Sequence, residues 1–158
     1  MQKIVTYSFE LPGNIKHDFE FKLDTDTFAL TANTGCMQPD WARLDHHRCL
    51  NCPVSGVEYC PVALNICKIV MPMREVTSYE TVKCCVVTQE RTYTVTTSAQ
   101  EALRSLMIFV IAASACPRVD LLKPPPHPAS SRRLRNWSWR WIRRAMEGSC
   151  PDQRCLST

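Results

Sequence analysis

Glycine is scarce in this chain, with only four residues among 158. Phosphate-cradling loops and dinucleotide-binding turns need closely spaced glycines, because the backbone must approach the ligand closely. No such pattern occurs, and the sequence also lacks the nucleophile elbow of hydrolases and the H-E-x-x-H motif of metalloproteases. The residues therefore point to no reaction, and we predict that the protein is not an enzyme.

Long apolar segments and export signals are also missing. The longest apolar run, residues 106–116, is far shorter than the roughly 20 residues that a membrane-spanning helix needs. Residues 1–10 alternate polar and apolar side chains, whereas a secretory signal begins with a charge and continues with an apolar run. We predict a cytoplasmic protein with no transmembrane segment.

Charge is unevenly distributed along the chain. The net charge is +4, but residues 1–123 carry 12 basic and 13 acidic side chains. Residues 124–158 carry the excess, with 7 arginines and 2 acidic residues. A basic surface is the usual signature of nucleic-acid binding, so we expect no nucleic-acid partner except through this C-terminal segment.

Two segments of the chain have the pattern of β-hairpins. Residues 3–10 and 17–23 alternate in polarity on either side of the turn sequence Pro12-Gly13-Asn14. Residues 81–88 and 91–97 are rich in Val, Thr and Tyr, which favour strands. We expect these four strands to form one antiparallel sheet.

Two helices complete the predicted fold. Pro61 suits a first helical turn and begins an apolar pattern to about residue 71, where Pro72 weakens the helix. Ser98 and Glu101 form a capping box before a second helix that extends to about residue 115. The prediction is a single α+β domain over residues 1–123, with both helices on one face of the sheet.

A cluster of soft metal ligands lies between the first hairpin and the first helix. The chain has ten cysteines, and in a reducing compartment clustered cysteines more often bind metal than form disulfides. The C-x2-C spacing of Cys49 and Cys52 lets two thiolates reach one ion from a single turn, and Cys60 would close the site. With His47 or Cys116 as the fourth ligand, the sequence predicts a cysteine-rich metal-binding loop over residues 45–60.

Three interpretations of this cluster remain open. A structural zinc ion is the first, although a proline follows Cys52 where zinc knuckles have glycine. An iron–sulfur cluster or thiol-based redox sensor is the second, and unmetallated, buried thiols are the third. Cys67, Cys84 and Cys85 are interpreted as packing residues, since no second donor lies at short spacing.

Residues 124–158 differ in composition from the rest of the chain. Three consecutive prolines are followed by a mixture of arginine, tryptophan and serine. One interpretation is a segment that is disordered or read out of frame. The alternative is a tail that binds nucleic acid or a membrane surface, because guanidinium groups contact phosphates and indoles stack on bases or lie at lipid interfaces.

The residues around the cluster also carry a resemblance. Asp45, His47, Cys49, Cys52 and Pro53 match a D-x-H-x-C-x-x-C-P pattern, and the segments 78–82, 90–93, 100–106 and 116–117 are shared as well. Over residues 3–124 the chain resembles an uncharacterised bacterial family of domains of unknown function. The resemblance implies no activity. The predicted function therefore rests on the cysteine cluster. We predict a metal-stabilised binding or regulatory module with an unidentified protein partner.

Overall fold

The computed structural model describes residues 2–24, 26–31 and 38–123. The tail predicted at 124–158 lies outside the described residues. The regular elements are β1 (Gln2–Leu11), β2 (Ile15–Asp24), α1 (Pro61–Met73), β3 (Thr81–Thr88), β4 (Thr92–Ser98) and α2 (Ala99–Ala113), with short 3-10 helices at Pro12–Asn14, Asp40–Ala42 and Pro117–Leu122.

The four strands form one antiparallel sheet in the order β2-β1-β3-β4. Each of the two hairpins is followed along the chain by a helix. The first strands of the hairpins, β1 and β3, pair at the centre of the sheet. The predicted α+β class and antiparallel sheet are therefore confirmed.

The first hairpin turns where the sequence predicts. Gly13 and Asn14 both have positive φ, at 81° and 61°. Glycine and asparagine are the residues that adopt this left-handed backbone most readily, so the turn conformation follows from the local sequence.

One face of the sheet and both helices enclose the core. Tyr7 and Phe9 of β1 are fully buried, and the Phe109 ring of α2 lies 5.7 Å from the Tyr7 ring and 5.8 Å from the Phe21 ring, measured between centroids. Ile69 of α1 belongs to the same core cluster. Both helices thus cover the same face, as predicted.

The helix ends differ from the prediction by two residues. Helix α1 continues through Pro72 to Met73, because a proline so close to the end disrupts little helix and Met73 is buried in the core. Helix α2 ends at Ala113 and not at residue 115, and Ser114 is already extended. Pro117 disfavours a helical conformation at Cys116, the residue before it, so the helix could not have continued far. The Ser98 cap is confirmed, with Oγ accepting the Glu101 N–H at 3.4 Å.

Adjacent cysteines of β3 lie on opposite faces of the sheet. Cys84 is 1% exposed in the core, whereas Cys85 is half-buried on the open face. Burial raises the pKa of the Cys84 thiol to about 12, with a further contribution from Cys85. Cys67 of α1 is also buried, so Cys67 and Cys84 serve packing, as the sequence indicates, whereas Cys85 lies outside the core.

The described part of the chain contains no helix with the length and apolar character needed to cross a membrane.

We expect a chain that ends at Lys123 to retain cooperative unfolding, because the core cluster formed by the described residues extends only from Val5 to Ala113. The change in the free energy of unfolding should be below about 1 kcal/mol. Thermal melts followed by circular dichroism measure it. A chain that ends at Arg104 is the control, since it lacks Leu106 and Phe109 and should not fold. Loss of the cooperative transition on truncation at Lys123 would contradict the expectation.

Candidate metal-binding loop

The cysteine cluster lies on a loop whose two ends are held together by backbone pairing. The Cys60 N–H donates to the Ala42 carbonyl at 2.9 Å, and the Leu44 N–H donates to the Glu58 carbonyl at 2.9 Å. Between these bonds, Arg43 and Tyr59 form an isolated antiparallel bridge. Residues 45–57 therefore project from a closed neck, in the manner of an Ω-loop.

Ion pairs reinforce the neck on its exposed side. The Arg43 guanidinium contacts Asp45 Oδ1 at 3.2 Å and Glu58 Oε1 at 3.1 Å, so that one cation joins the two arms of the loop. The hydrogen bond from Arg43 holds the pKa of the Asp45 carboxyl below its usual value. Because these groups are exposed, solvent screening keeps the contribution of the pairs to stability small.

The tip of the loop is a tight turn formed by the C-x2-C segment. The backbone N–H groups of Asn51 and Cys52 both donate to the Cys49 carbonyl at 3.1 Å. The Val54 carbonyl accepts a hydrogen bond from Arg48 Nη2 at 2.9 Å and has Cys52 Sγ at 4.0 Å. The two cysteines thus lie on one hydrogen-bonded turn, at the C-x2-C spacing that is typical of zinc sites.

Solvent reaches most of the loop. Residues 46–51 are all exposed, and Leu50 at the tip retains 89% of its accessible surface. The His46 and His47 rings meet edge to face, with centroids 4.9 Å apart. The loop therefore lies outside the core, and a change in its conformation would break few apolar contacts.

Cys60 and Cys116 lie at the same end of the helix pair. Cys60 is the half-buried N-cap of α1, and buried Cys116 follows the C-terminus of α2. The two ends are connected by a hydrogen bond from Asn65 Nδ2 to Ser114 Oγ at 3.1 Å. This contact fixes the position of the neck relative to the sheet.

The structure places Cys49 and Cys52 on one backbone turn and the other predicted ligands on other segments. Cys49 and Cys52 share a turn, Cys60 lies at the neck, and Cys116 is buried beyond α2. Across residues 2–24, 26–31 and 38–123, no group of three or more His, Cys, Asp or Glu side chains lies close enough to hold a metal ion. In this conformation the predicted set of Cys49, Cys52 and Cys60 is therefore not assembled, whether His47 or Cys116 is taken as the fourth ligand.

Sequence reasoning missed the residues that hold the loop in place. Arg43 and Glu58 are far apart in sequence. Their ion pair forms because backbone pairing at the neck brings the two arms of the loop together. Asn65 lies in α1 and Ser114 follows the end of α2, and neither carries a motif. Only the positions of Asp45 and Arg43, two residues apart, offered a local signal of an ion pair.

These features define an antiparallel α+β domain that carries an exposed, cysteine-bearing loop outside its core. The chain belongs to the family DUF6901, a domain of unknown function, whose family model matches residues 5–127. The resemblance to an uncharacterised domain family is thereby confirmed. The chain matched neither a curated protein nor a solved structure.

We predict that the thiols differ widely in their rate of alkylation. Among the cysteines that the structure describes, Cys49 is exposed and should react first, whereas buried Cys67, Cys84 and Cys116 should react more than about tenfold slower, because labelling them requires local opening of the fold. A short pulse of iodoacetamide on reduced protein, followed by peptide mass spectrometry, gives the rates. Labelling of unfolded protein is the control and should make them similar. Equal rates for Cys49 and Cys84 in the native protein would show that the described burial is wrong.

Proposed function

We propose that the loop between Arg43 and Cys60 binds one thiophilic metal ion, zinc in the first instance, and that the domain acts as a metal-stabilised binding or regulatory module. The observation that carries the proposal is the hydrogen-bonded backbone turn on which both Cys49 and Cys52 lie. Thiolates at this spacing commonly form half of a tetrahedral zinc site.

The remaining ligands would come from the neck and from the residues before the turn. Cys60 is held by its backbone bond to Ala42 and is only half-buried. His47 precedes the turn by two residues and is exposed. Because three donors are not gathered in the described conformation, binding requires residues 45–57 to close toward the neck.

Closure of this kind costs little packing, since the loop is mostly exposed and its tip is joined to the returning arm chiefly by contacts to Val54. Coordination would then replace the missing core contacts. Since ligands must lose protons and come together, the free energy of binding adds to the stability of the closed loop. The ion would thus convert an exposed segment into an ordered surface for a partner.

The same turn supports one rival. Two cysteines in a C-x2-C turn also suit reversible disulfide formation or part of an iron–sulfur site. A disulfide lowers the mass of the protein by two hydrogens, and an iron–sulfur cluster absorbs visible light. Zinc does neither, so mass spectrometry and the visible spectrum separate the three chemistries.

We expect reduced, metal-free protein to bind one equivalent of zinc. Free zinc at 100 times the dissociation constant should stabilise the fold by at most about 2.7 kcal/mol, the value for an ion that does not bind the unfolded chain, and by less where unfolded cysteines also bind zinc. Cys52→Ser should lose the binding, since it removes one of the two thiols of the turn. Isothermal titration calorimetry and thermal melts with and without chelator measure both effects.

Cys67→Ser is the matched control, because Cys67 is buried in α1 and lies outside the loop. This variant should lose some stability but keep one equivalent of zinc. The proposal is wrong if wild-type protein binds no zinc under reducing conditions, or if Cys52→Ser binds it as tightly as the wild type.

A further inference from the structure

The two edges of the sheet differ in charge. Strand β2, at one edge, carries Lys16, Asp18, Glu20 and Lys22 on its open face. Strand β4, at the other edge, has the sequence TYTVTTS and contains neither a charged residue nor a proline. Charges and prolines are the usual means by which edge strands avoid pairing with other chains. Edge β2 is therefore protected, and edge β4 is open to pairing.

The backbone of β4 has hydrogen-bonding groups along this edge that no strand of the described residues uses. The Thr88 N–H donates to the Arg91 carbonyl at 2.9 Å, which fixes the alternation of bonded pairs between β3 and β4. By this alternation, the N–H and C=O groups of Thr92, Thr94 and Thr96 point away from β3. Within the described residues, no strand pairs with them.

The core is also incompletely covered beside this edge. Tyr93 and Val95 of β4 pack against the core cluster but are only half-buried, and so are Leu103 and Met107 of α2. An additional strand beside β4 would remove more of the apolar surface of Tyr93 and Val95 from water, which favours association.

We infer that two copies of the chain associate through antiparallel pairing of their β4 strands, about a two-fold axis at Val95. In this register Thr94 lies opposite Thr96 of the second copy, twice by symmetry, so the outward backbone groups bond to one another. The product is a continuous eight-stranded sheet with all helices on one face.

Side chains are compatible with this register. Val95 meets its own symmetry mate, and threonine pairs face each other on the open side, which are favourable cross-strand neighbours. The register also brings Arg91 to the level of Ala99 of the second copy, where α2 begins and carries Glu101 in its first turn. Because the outward backbone groups are self-complementary in this register and Arg91 and Glu101 carry opposite charges, a second copy fits this edge.

The mass of the full-length protein in solution tests the inference. Under reducing conditions, sedimentation equilibrium should give twice the 18.1 kDa chain mass, with dissociation on dilution. A mass of 18.1 kDa at every concentration up to the solubility limit would overturn it, whatever else binds the edge.

Two charge variants test the register. T94E/T96E opposes like charges across the axis and should weaken the dimer by about tenfold or more. T94K/T96E is the matched control, since it opposes unlike charges and should restore the dimer. Both variants carry the same T96E change opposite Lys83, the neighbour of this position in β3, so they differ only at position 94. Equal dissociation constants for the two variants would overturn the register.

Amide hydrogen exchange of the wild-type protein gives a test that needs no variant. The N–H groups of Thr94 and Thr96 should exchange slowly at dimer concentrations and rapidly on dilution. Those of Tyr93 and Val95, which face β3, should stay protected in both conditions. Rapid exchange of Thr94 and Thr96 at high concentration would also overturn the inference.

Discussion

The packing of one aromatic ring of α2 against the two strands of the first hairpin is the contact on which the fold depends. Phe109 lies against both Tyr7 and Phe21, so the last regular helix of the described chain covers the first strands. Without this contact the central pairing of β1 with β3 would lose the layer that buries it. Burial raises the pKa of the Tyr7 phenol far above its ordinary value, so the core stays uncharged.

The position of the loop follows from that packing. Once α2 is fixed on the sheet, the Ser114 hydroxyl that follows it accepts a hydrogen bond from Asn65, and the N-terminal half of α1 is fixed beside it. Cys60 precedes α1 as its N-cap and also closes the loop through its bond to Ala42. The core therefore fixes the neck and leaves the tip of the loop free of core contacts, which is compatible with the closure that we propose for metal binding.

Local signals made much of the fold predictable. The left-handed turn at Gly13 and Asn14, the cap at Ser98 and the alternation of Cys84 with Cys85 each depend on neighbouring residues, and each agrees with the prediction. Local signals do not predict the order of the strands in the sheet, because that order depends on contacts between residues far apart in sequence. The continuation of α1 through Pro72 also required tertiary packing, since the burial of Met73 outweighs the local preference of proline.

The candidate site also has one part that local sequence predicts and one part that it does not. The turn that joins Cys49 and Cys52 is local and was predictable from spacing, whereas the approach of Cys60 or His47 depends on the conformation of an exposed loop. X-ray absorption of the zinc-loaded protein tests this account most directly. It predicts about three sulfur ligands near roughly 2.3 Å, with one further ligand that is the nitrogen of His47 or a fourth sulfur. A first shell of oxygen and nitrogen alone would contradict the claim that the cysteine loop holds the ion.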